Sequence, residues 1–309
     1  MSRALVIGSR GSKLALWQAE QARQRLLDLN PTIDVRIEII KTTGDVKNDP
    51  LSVIGGKGVF TKELEDALLD GRIDIAVHSL KDLPTILPEG LSISAICERE
   101  DARDALVLRS NFEVEHASLA GLPHDAVVGT SSQRRLAQLK SLRPDVVVKD
   151  LRGNVDTRIR KLDEGQYEAV ILASAGLLRL GLQDRISAQI PIGEMLPAVG
   201  QGAIAIETRS DNQFAIEATR KLDHNETRVA CLAERAFLRS LGGGCQFPIA
   251  AHGVIEQDSL KLYGLVARPD GSEILRDSMS GTVNDPEKLG SKLAEHLLQQ
   301  GARSLLNVL

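Results

Sequence analysis

Short apolar runs of strand length, each ending in a glycine or polar cluster and followed by a stretch of helical periodicity, recur along most of this chain. That rhythm narrows the fold more than any other feature. Ala4-Leu5-Val6-Ile7-Gly8 reads as a first strand, and Lys13 to Leu29 brings Leu14, Trp17, Ala19, Ala22 and Leu26 close to helical spacing. Val35 to Thr43 alternates, with Val35, Ile37 and Ile39 on one face; Thr61 to Gly71 reads as a helix and Ile73 to Val77 as a strand. A β-α-β-α-β series of this kind implies a largely parallel sheet with helices on both faces.

The pattern then repeats. Ala105 to Leu108 and Ala126 to Gly129 are expected strands, Ser132 to Leu142 a helix, Val146 to Lys149 a strand, Asn154 to Gly165 a helix, Ala169 to Ala173 a strand and Leu177 to Leu182 a short helix. Pro191 to Gly202, rich in proline and glycine, reads as a crossover, and Ala203 to Glu207 as a strand returning to the first unit. From Glu226 a long helix runs to about Leu241, followed by three strand-like segments with a Pro269-Asp270-Gly271 turn and a terminal helix from about Asp285. The expected organisation is three domains: residues 1–101 with 199–220 (α/β), 102–198 (α/β) and 221–309 (α+β), with hinges near 101 and 198.

Composition excludes several classes. Of 309 residues, 42% are hydrophobic and 26% charged, as in a globular protein with buried cores. Lys and Arg number 38 against 42 Asp and Glu, and with only 3% aromatics the chain is not expected to bind nucleic acid. Cys97, Cys231 and Cys245 are too few for a disulfide framework and have no metal-ligand spacing, so no metal is expected and a reducing cytosol fits. The chain enters its first strand without a leader-like segment and has no apolar run of membrane-spanning length, so a cytoplasmic protein starting at Met1 is expected.

In open parallel sheets, ligands sit beyond the carboxyl ends of the strands, where loops meet helix N-termini. Gly8-Ser9-Arg10-Gly11-Ser12 falls there: a capped turn needs only Ser12, which leaves Arg10 as surplus. Gly129-Thr130-Ser131-Ser132-Gln133-Arg134-Arg135 holds the equivalent place in the second unit, and two arginines in a first turn oppose the helix dipole and ask for an anion. Leu151-Arg152-Gly153-Asn154, with Arg158 one turn on, repeats the arrangement; converging guanidinium forks suit a ligand with several carboxylates, whereas Arg160 and Lys161 read as a solvated face. Asp82, in His78-Ser79-Leu80-Lys81-Asp82-Leu83-Pro84, is either a turn former or a carboxylate placed to stabilise a cation or move protons, and the residues alone leave both open.

Gly55-Gly56-Lys57-Gly58 lacks the Ser or Thr of a phosphate loop, and Gly200-Gln201-Gly202 lacks the third glycine of a dinucleotide fingerprint; both read as flexible loops. Cys97 and Cys231 lie in apolar stretches and read as core thiols. Cys245 follows Gly242-Gly243-Gly244 after a helix, where the backbone allows close approach of a ligand to an exposed thiol.

Taken together these segments resemble the porphobilinogen deaminase (hydroxymethylbilane synthase) family. The likeness is carried by Arg10-Gly11-Ser12 with Leu14-Ala15-Leu16-Trp17-Gln18, Gly55-Gly56-Lys57-Gly58-Val59-Phe60, His78 to Pro84, Gly129 to Arg135, Leu151-Arg152-Gly153-Asn154-Val155, Pro197-Ala198-Val199-Gly200-Gln201-Gly202 and Gly243-Gly244-Cys245-Gln246. It weakens over the last 50 or so residues.

The resemblance implies two α/β domains of type II periplasmic-binding-protein fold with mostly parallel sheets, plus a small C-terminal α+β domain, in a monomeric transferase of porphyrin and heme biosynthesis. It implies a dipyrromethane cofactor joined to Cys245 through a thioether, and stepwise addition of four porphobilinogen molecules before hydrolysis releases hydroxymethylbilane. Asp82, with Lys81, is implied as catalytic: Asp82 stabilises the cationic azafulvene formed when substrate loses ammonia and assists proton transfer. Cofactor contacts are implied for Lys81, Asp82, Ser12, Thr130, Ser131, Ser132, Arg134, Arg135, Arg152 and Gly153, and substrate contacts for Arg10, Ser12, Gln18, Phe60, Arg152, Arg158, Arg179 and Gln201.

Two positions depart from the family's pattern. Val53 stands where some members have a second lysine, and Phe247 replaces a small β-branched residue as a packing change. The rival reading is a non-enzymatic, periplasmic-type binder of small carboxylates, which leaves Cys245 on its glycine loop without a use.

Overall fold

The computed structural model describes residues 4–42, 61–244 and 247–306. In chain order these hold β1 (Leu5–Ser9), α1 (Lys13–Leu29), β2 (Val35–Ile39), α2 (Lys62–Leu69), β3 (Ile75–Ser79) and β4 (Leu91–Ile96). Then come β5 (Asp104–Leu108), β6 (Val127–Gly129), α3 (Gln133–Leu142), β7 (Val147–Lys149), α4 (Val155–Asp163), β8 (Ala169–Ala173), α5 (Ser174–Arg179) and β9 (Ala188–Gln189). The last stretch holds β10 (Ile204–Arg209), α6 (Gln213–Thr219), α7 (Asn225–Ser240), β11 (Ile249–Glu256), β12 (Ser259–Ala267), β13 (Ile274–Thr282), α8 (Pro286–Gln299) and α9 (Ala302–Leu306). Two compact units result, Met1–Glu100 with Ala203–Val229 and Asp101–Gly202 with Ala230–Leu309.

The first unit is a five-stranded sheet of order β2-β1-β3-β10-β4. β1 pairs in parallel with β2 and β3, and β10 runs antiparallel between β3 and β4. Successive strand residues face opposite sides: Ile75 and Val77 join Leu5, Ile7, Ala19, Ala22 and Leu26 in one cluster, while Ala76 joins Leu64, Leu68 and Ile73 in another. α1 and α2 therefore cover opposite faces, and their amphipathic stripes supply the burial that holds the sheet.

In the second unit the order is β7-β6-β8-β5-β9, with β6 parallel to β7 and β8 and β5 antiparallel to its two neighbours. Leu106, Val128 and Ile171 pack on one side, and Val107, Val170 and Leu172 on the other. Both sheets have the 2-1-3-n-4 order of the type II periplasmic-binding-protein fold, each with one inserted antiparallel strand. A second sheet of this unit, the antiparallel meander β11-β12-β13, packs against α3 through Ala137, Leu196, Ala250, Leu265 and Ala267.

Two local readings change. The short helix expected over 177–182 begins at Ser174, directly off β8, and is closed by the Gly181 amide donating to the Leu178 carbonyl. The seven-residue α6 carries too little periodicity to be read from sequence. Among the described residues no helix is long and apolar enough to cross a membrane.

Candidate active site

In the first unit the turn after β3 presents two charged residues between buried anchors. Leu80 and Leu83 are buried, and Leu80–Asp82 form a single 3-10 turn; the Leu80 amide donates to the Ala203 carbonyl at 3.0 Å and that of Leu83 to the Leu80 carbonyl at 3.2 Å. Lys81 is half-buried and Asp82 exposed. One residue upstream, the buried Gln18 of α1 donates through Nε2 to Ser79 Oγ at 2.9 Å, so Gln18 braces the turn from beneath. At the end of β1, Ser12 Oγ accepts the Ala15 amide and caps α1, and the half-buried Arg10 is the residue a cap does not need.

In the second unit the arginine pair meets an anion of its own chain. Arg134 and Arg135 are 4% and 5% exposed, and the anion their helix position asks for is Asp104, at the head of β5 and wholly buried. Arg134 Nη1 donates to Asp104 Oδ2 at 2.7 Å and to the Leu196 carbonyl at 2.8 Å. Arg135 reaches Asp104 Oδ1 through Nε at 3.0 Å and Nη2 at 2.7 Å, and the Ile171 carbonyl through Nη1 at 2.9 Å. Burial alone raises a carboxyl pKa, but the two guanidiniums outweigh it and hold Asp104 far below the usual range. Two cations and one anion leave a single net positive charge.

The hydroxyls of this turn are engaged locally. Ser132 caps α3 by accepting the Arg135 amide, Thr130 Oγ1 accepts the Ser132 amide at 3.2 Å, and Ser131 Oγ donates to the Leu151 carbonyl at 2.6 Å. The Ser131 bond ties this turn to the loop after β7, where Arg152 Nε meets Asp150 Oδ2 at 2.6 Å and Arg158 Nε donates to the Gly153 carbonyl at 2.7 Å. Arg152 in this loop and Arg158 one turn into α4 remain half-buried, so both guanidiniums are partly accessible.

The crossover is a buried, tied segment instead of the flexible loop expected from Gly200-Gln201-Gly202. The Gly200 amide donates to Glu234 Oε2 at 2.7 Å, Gln201 Nε2 to the Ala102 carbonyl at 2.8 Å and Asp104 Oδ1 at 2.9 Å, and Arg179 Nη2 to the Gly202 carbonyl at 2.6 Å. Residues through Gly202 thus belong to the second unit. Arg179 and Gln201 are 8% and 1% exposed.

Two family models match the chain: "porphobilinogen deaminase, dipyromethane cofactor binding domain" over residues 5–217 and "porphobilinogen deaminase, C-terminal domain" over residues 228–299. Porphobilinogen deaminases of Pelotomaculum thermopropionicum and Pelobacter propionicus are each 50% identical, over 307 and 305 residues, covering 99% and 98% of this chain and 97% and 96% of theirs. The chain belongs to the porphobilinogen deaminase family. Among solved structures, the second substrate binding domain of a putative amino acid ABC transporter from Streptococcus pneumoniae is 13% identical with a TM-score of 0.44, covering 78% of this chain and 95% of that one.

Of the residues that family resemblance points to, Cys245 and Phe60, with Val53, lie outside the described residues. The chain's glycine run is partly explained by the end of α7: Gly242 and Gly243 amides donate to the Arg239 and Leu238 carbonyls, and a Cβ on Gly243 would stand 2.3 Å from Ile249 Cδ1. Among the described residues nothing lies within 4 Å of a Cβ on Gly242 or Gly244; the φ of 68° calls for glycine at 242, and packing does not require Gly244. Phe247 is half-buried, its amide on the Gly244 carbonyl at 3.0 Å.

Sequence reasoning missed Asp104, Glu234 and the buried pair His78 and Glu207, whose Nε2 and Oε2 lie 2.9 Å apart. The available signal was a lone charge on an apolar stripe: Asp104 before Ala-Leu-Val-Leu, and Glu234 in register with Ala230 and Phe237.

Proposed function

We propose that this chain is a cytoplasmic, monomeric porphobilinogen deaminase that joins four porphobilinogen molecules head to tail, losing one ammonia at each addition, and releases hydroxymethylbilane by hydrolysis. Its dipyrromethane is a thioether on Cys245 in a third domain, residues 221–309. The observation that carries the reading is family membership at 50% identity over nearly the whole chain, with a dipyrromethane-domain model over residues 5–217.

The donor set fits such a group. A dipyrromethane with acetate and propionate arms is a polycarboxylate, and the second unit holds accessible guanidiniums at Arg152 and Arg158 together with a buried arginine cluster of net charge +1. When bound, the group supplies the nucleophilic pyrrole carbon from which the chain is grown.

The chain's own residues then have separate tasks. Asp82, on a turn anchored by Leu80 and Leu83, is the carboxylate that stabilises the positive charge left as ammonia departs and accepts pyrrole N–H bonds. It also takes part in the proton transfer that restores each new pyrrole, with Lys81 beside it. Arg10, Arg152 and Arg158 hold side-chain carboxylates, as do Arg134, Arg135 and Arg179 with the charge their internal partners leave uncompensated. Ser12, Thr130, Ser131, Ser132 and the Gly153 backbone shape the loops that present these groups, and Gln18, Gln201 and Phe60 complete the substrate-binding set.

A carboxylate binder without catalysis is the competing outcome. Incubation of the full chain with porphobilinogen, followed by acid oxidation and porphyrin absorbance, is expected to show hydroxymethylbilane formation. Intact mass spectrometry is expected to show the dipyrromethane mass on the wild type and the bare sequence mass on Cys245→Ala. Bare mass for wild type expressed with porphobilinogen available, together with no porphyrin, overturns the reading.

A further inference from the structure

We propose that Asp104 is a positioning residue for carboxylate binding: it sets the planes of two guanidiniums and ties them to the crossover. The inference rests on the function proposed above and concerns a residue that would touch neither substrate nor cofactor.

The carboxylate is divided between its partners. Oδ2 takes Arg134 Nη1, and Oδ1 takes Arg135 Nε and Nη2 together with Gln201 Nε2. Both hydrogens of Arg134 Nη1 are thereby assigned, one to Asp104 and one to the Leu196 carbonyl. Two bonds from one planar nitrogen fix the plane of the group, and with it the direction of every other N–H.

The Nε and Nη2 hydrogens are left, and Nε is the one that is buried. Arg134 Nε is buried and has no hydrogen-bond partner among the described residues. An unmet guanidinium N–H in a buried setting is costly, and it is met when a carboxylate oxygen reaches it. Asp104 therefore does two things at once: it compensates one of two buried charges, and it leaves the other charge with a donor whose direction is preset. Gln138 supports the same frame, its amide bonding the Leu196 carbonyl and amide from the next turn of α3. Mere neutralisation needs the charge of Asp104, whereas positioning needs its place as well, and that difference is testable.

The experiment compares full-length wild type with Asp104→Glu, Asp104→Asn, Arg134→Gln and the double variant Asp104→Asn with Arg134→Gln. Thermal melting, dipyrromethane loading by intact mass, and kcat and KM for porphobilinogen are read for each. Asp104→Glu keeps the charge and displaces the oxygens: it is expected to melt cooperatively but with lower dipyrromethane loading and, in its loaded fraction, KM raised about tenfold with kcat little changed, the pattern of lost binding. The double variant is expected to lose less than the sum of the two single losses, because Asp104 and Arg134 are coupled, while still falling below Arg134→Gln alone, since Arg135 also loses its carboxylate.

Wild-type KM and loading in Asp104→Glu overturn the proposal, and so do additive losses in the double variant. If Asp104→Asn does not fold, Asp104→Glu still decides. A wild type that makes no hydroxymethylbilane overturns the functional reading itself, whereas an active wild type with an unaffected Asp104→Glu overturns only the role of Asp104.

Discussion

Glu234 accepts the amide of Gly200 on Oε2 at 2.7 Å and that of Gly253 on Oε1 at 2.8 Å, so one wholly buried carboxylate on α7 joins the crossover to β11. Glu234→Ala strands two buried N–H groups, each unsatisfied donor costing about 1–3 kcal/mol. The expected loss is therefore about 2–6 kcal/mol, read as a lower urea midpoint. Amide exchange at Gly200 and Gly253 should accelerate beyond the global change, and an unchanged midpoint would show that water replaces the carboxylate without penalty.

Asp82 is the opposite case, an exposed carboxylate on a turn whose backbone is held by Leu80 and Leu83. Asp82→Ala should leave stability within about 0.5 kcal/mol of wild type, as for surface substitutions away from special features. Turnover of porphobilinogen should fall by at least about 100-fold, the usual contribution of a positioned acid or base. Retained activity in a folded variant would remove Asp82 from catalysis.

What could be read from the sequence was local. α1 spans the expected Lys13 to Leu29 because its cap, Ser12, and its apolar spacing lie in one short window. The three strand-end arginine loops were visible for the same reason. The fate of Arg134 and Arg135 was not: their partner Asp104 lies thirty residues upstream of Arg134, on β5, which reaches the sheet only as an antiparallel strand inserted beside β8. Gly200-Gln201-Gly202 misled similarly, since glycine composition signals freedom while Glu234, Asp104 and Arg179, from three separate elements, remove it. Patterns within about a turn of helix or a strand are legible, and buried ion pairs between distant elements need the topology first.

Gly153 tests the loop that presents Arg152 and Arg158. Its φ of 111° is in the region side chains avoid, and an added Cβ would stand 2.7 Å from Thr157 Cγ2. Gly153→Ala should cost about 1–3 kcal/mol from backbone strain and crowding together. KM should rise, because the Gly153 carbonyl that orients Arg158 moves. Adding Thr157→Ser removes the crowding methyl and should recover only part of the stability; full recovery would mean the backbone conformation is not strained.

Glu65, buried on α2 in the first unit, gives a pH-dependent prediction of defined sign. Burial raises its carboxyl, Thr61 pulls it back, and the charge of Glu207 pushes it up again, with a net rise above the ordinary value of 4.5. A carboxyl that holds its proton more tightly when folded disfavours folding once it must ionise. The penalty is absent below about pH 4.5, grows as pH rises from there through the folded-state pKa, and is constant above it. Glu65→Gln mimics the protonated form, so its urea midpoint should exceed wild type at pH 7 and match it at pH 4. A gain of equal size at both pH values would assign the effect to packing, and a loss at pH 7 would show that the ionised carboxylate is itself stabilising.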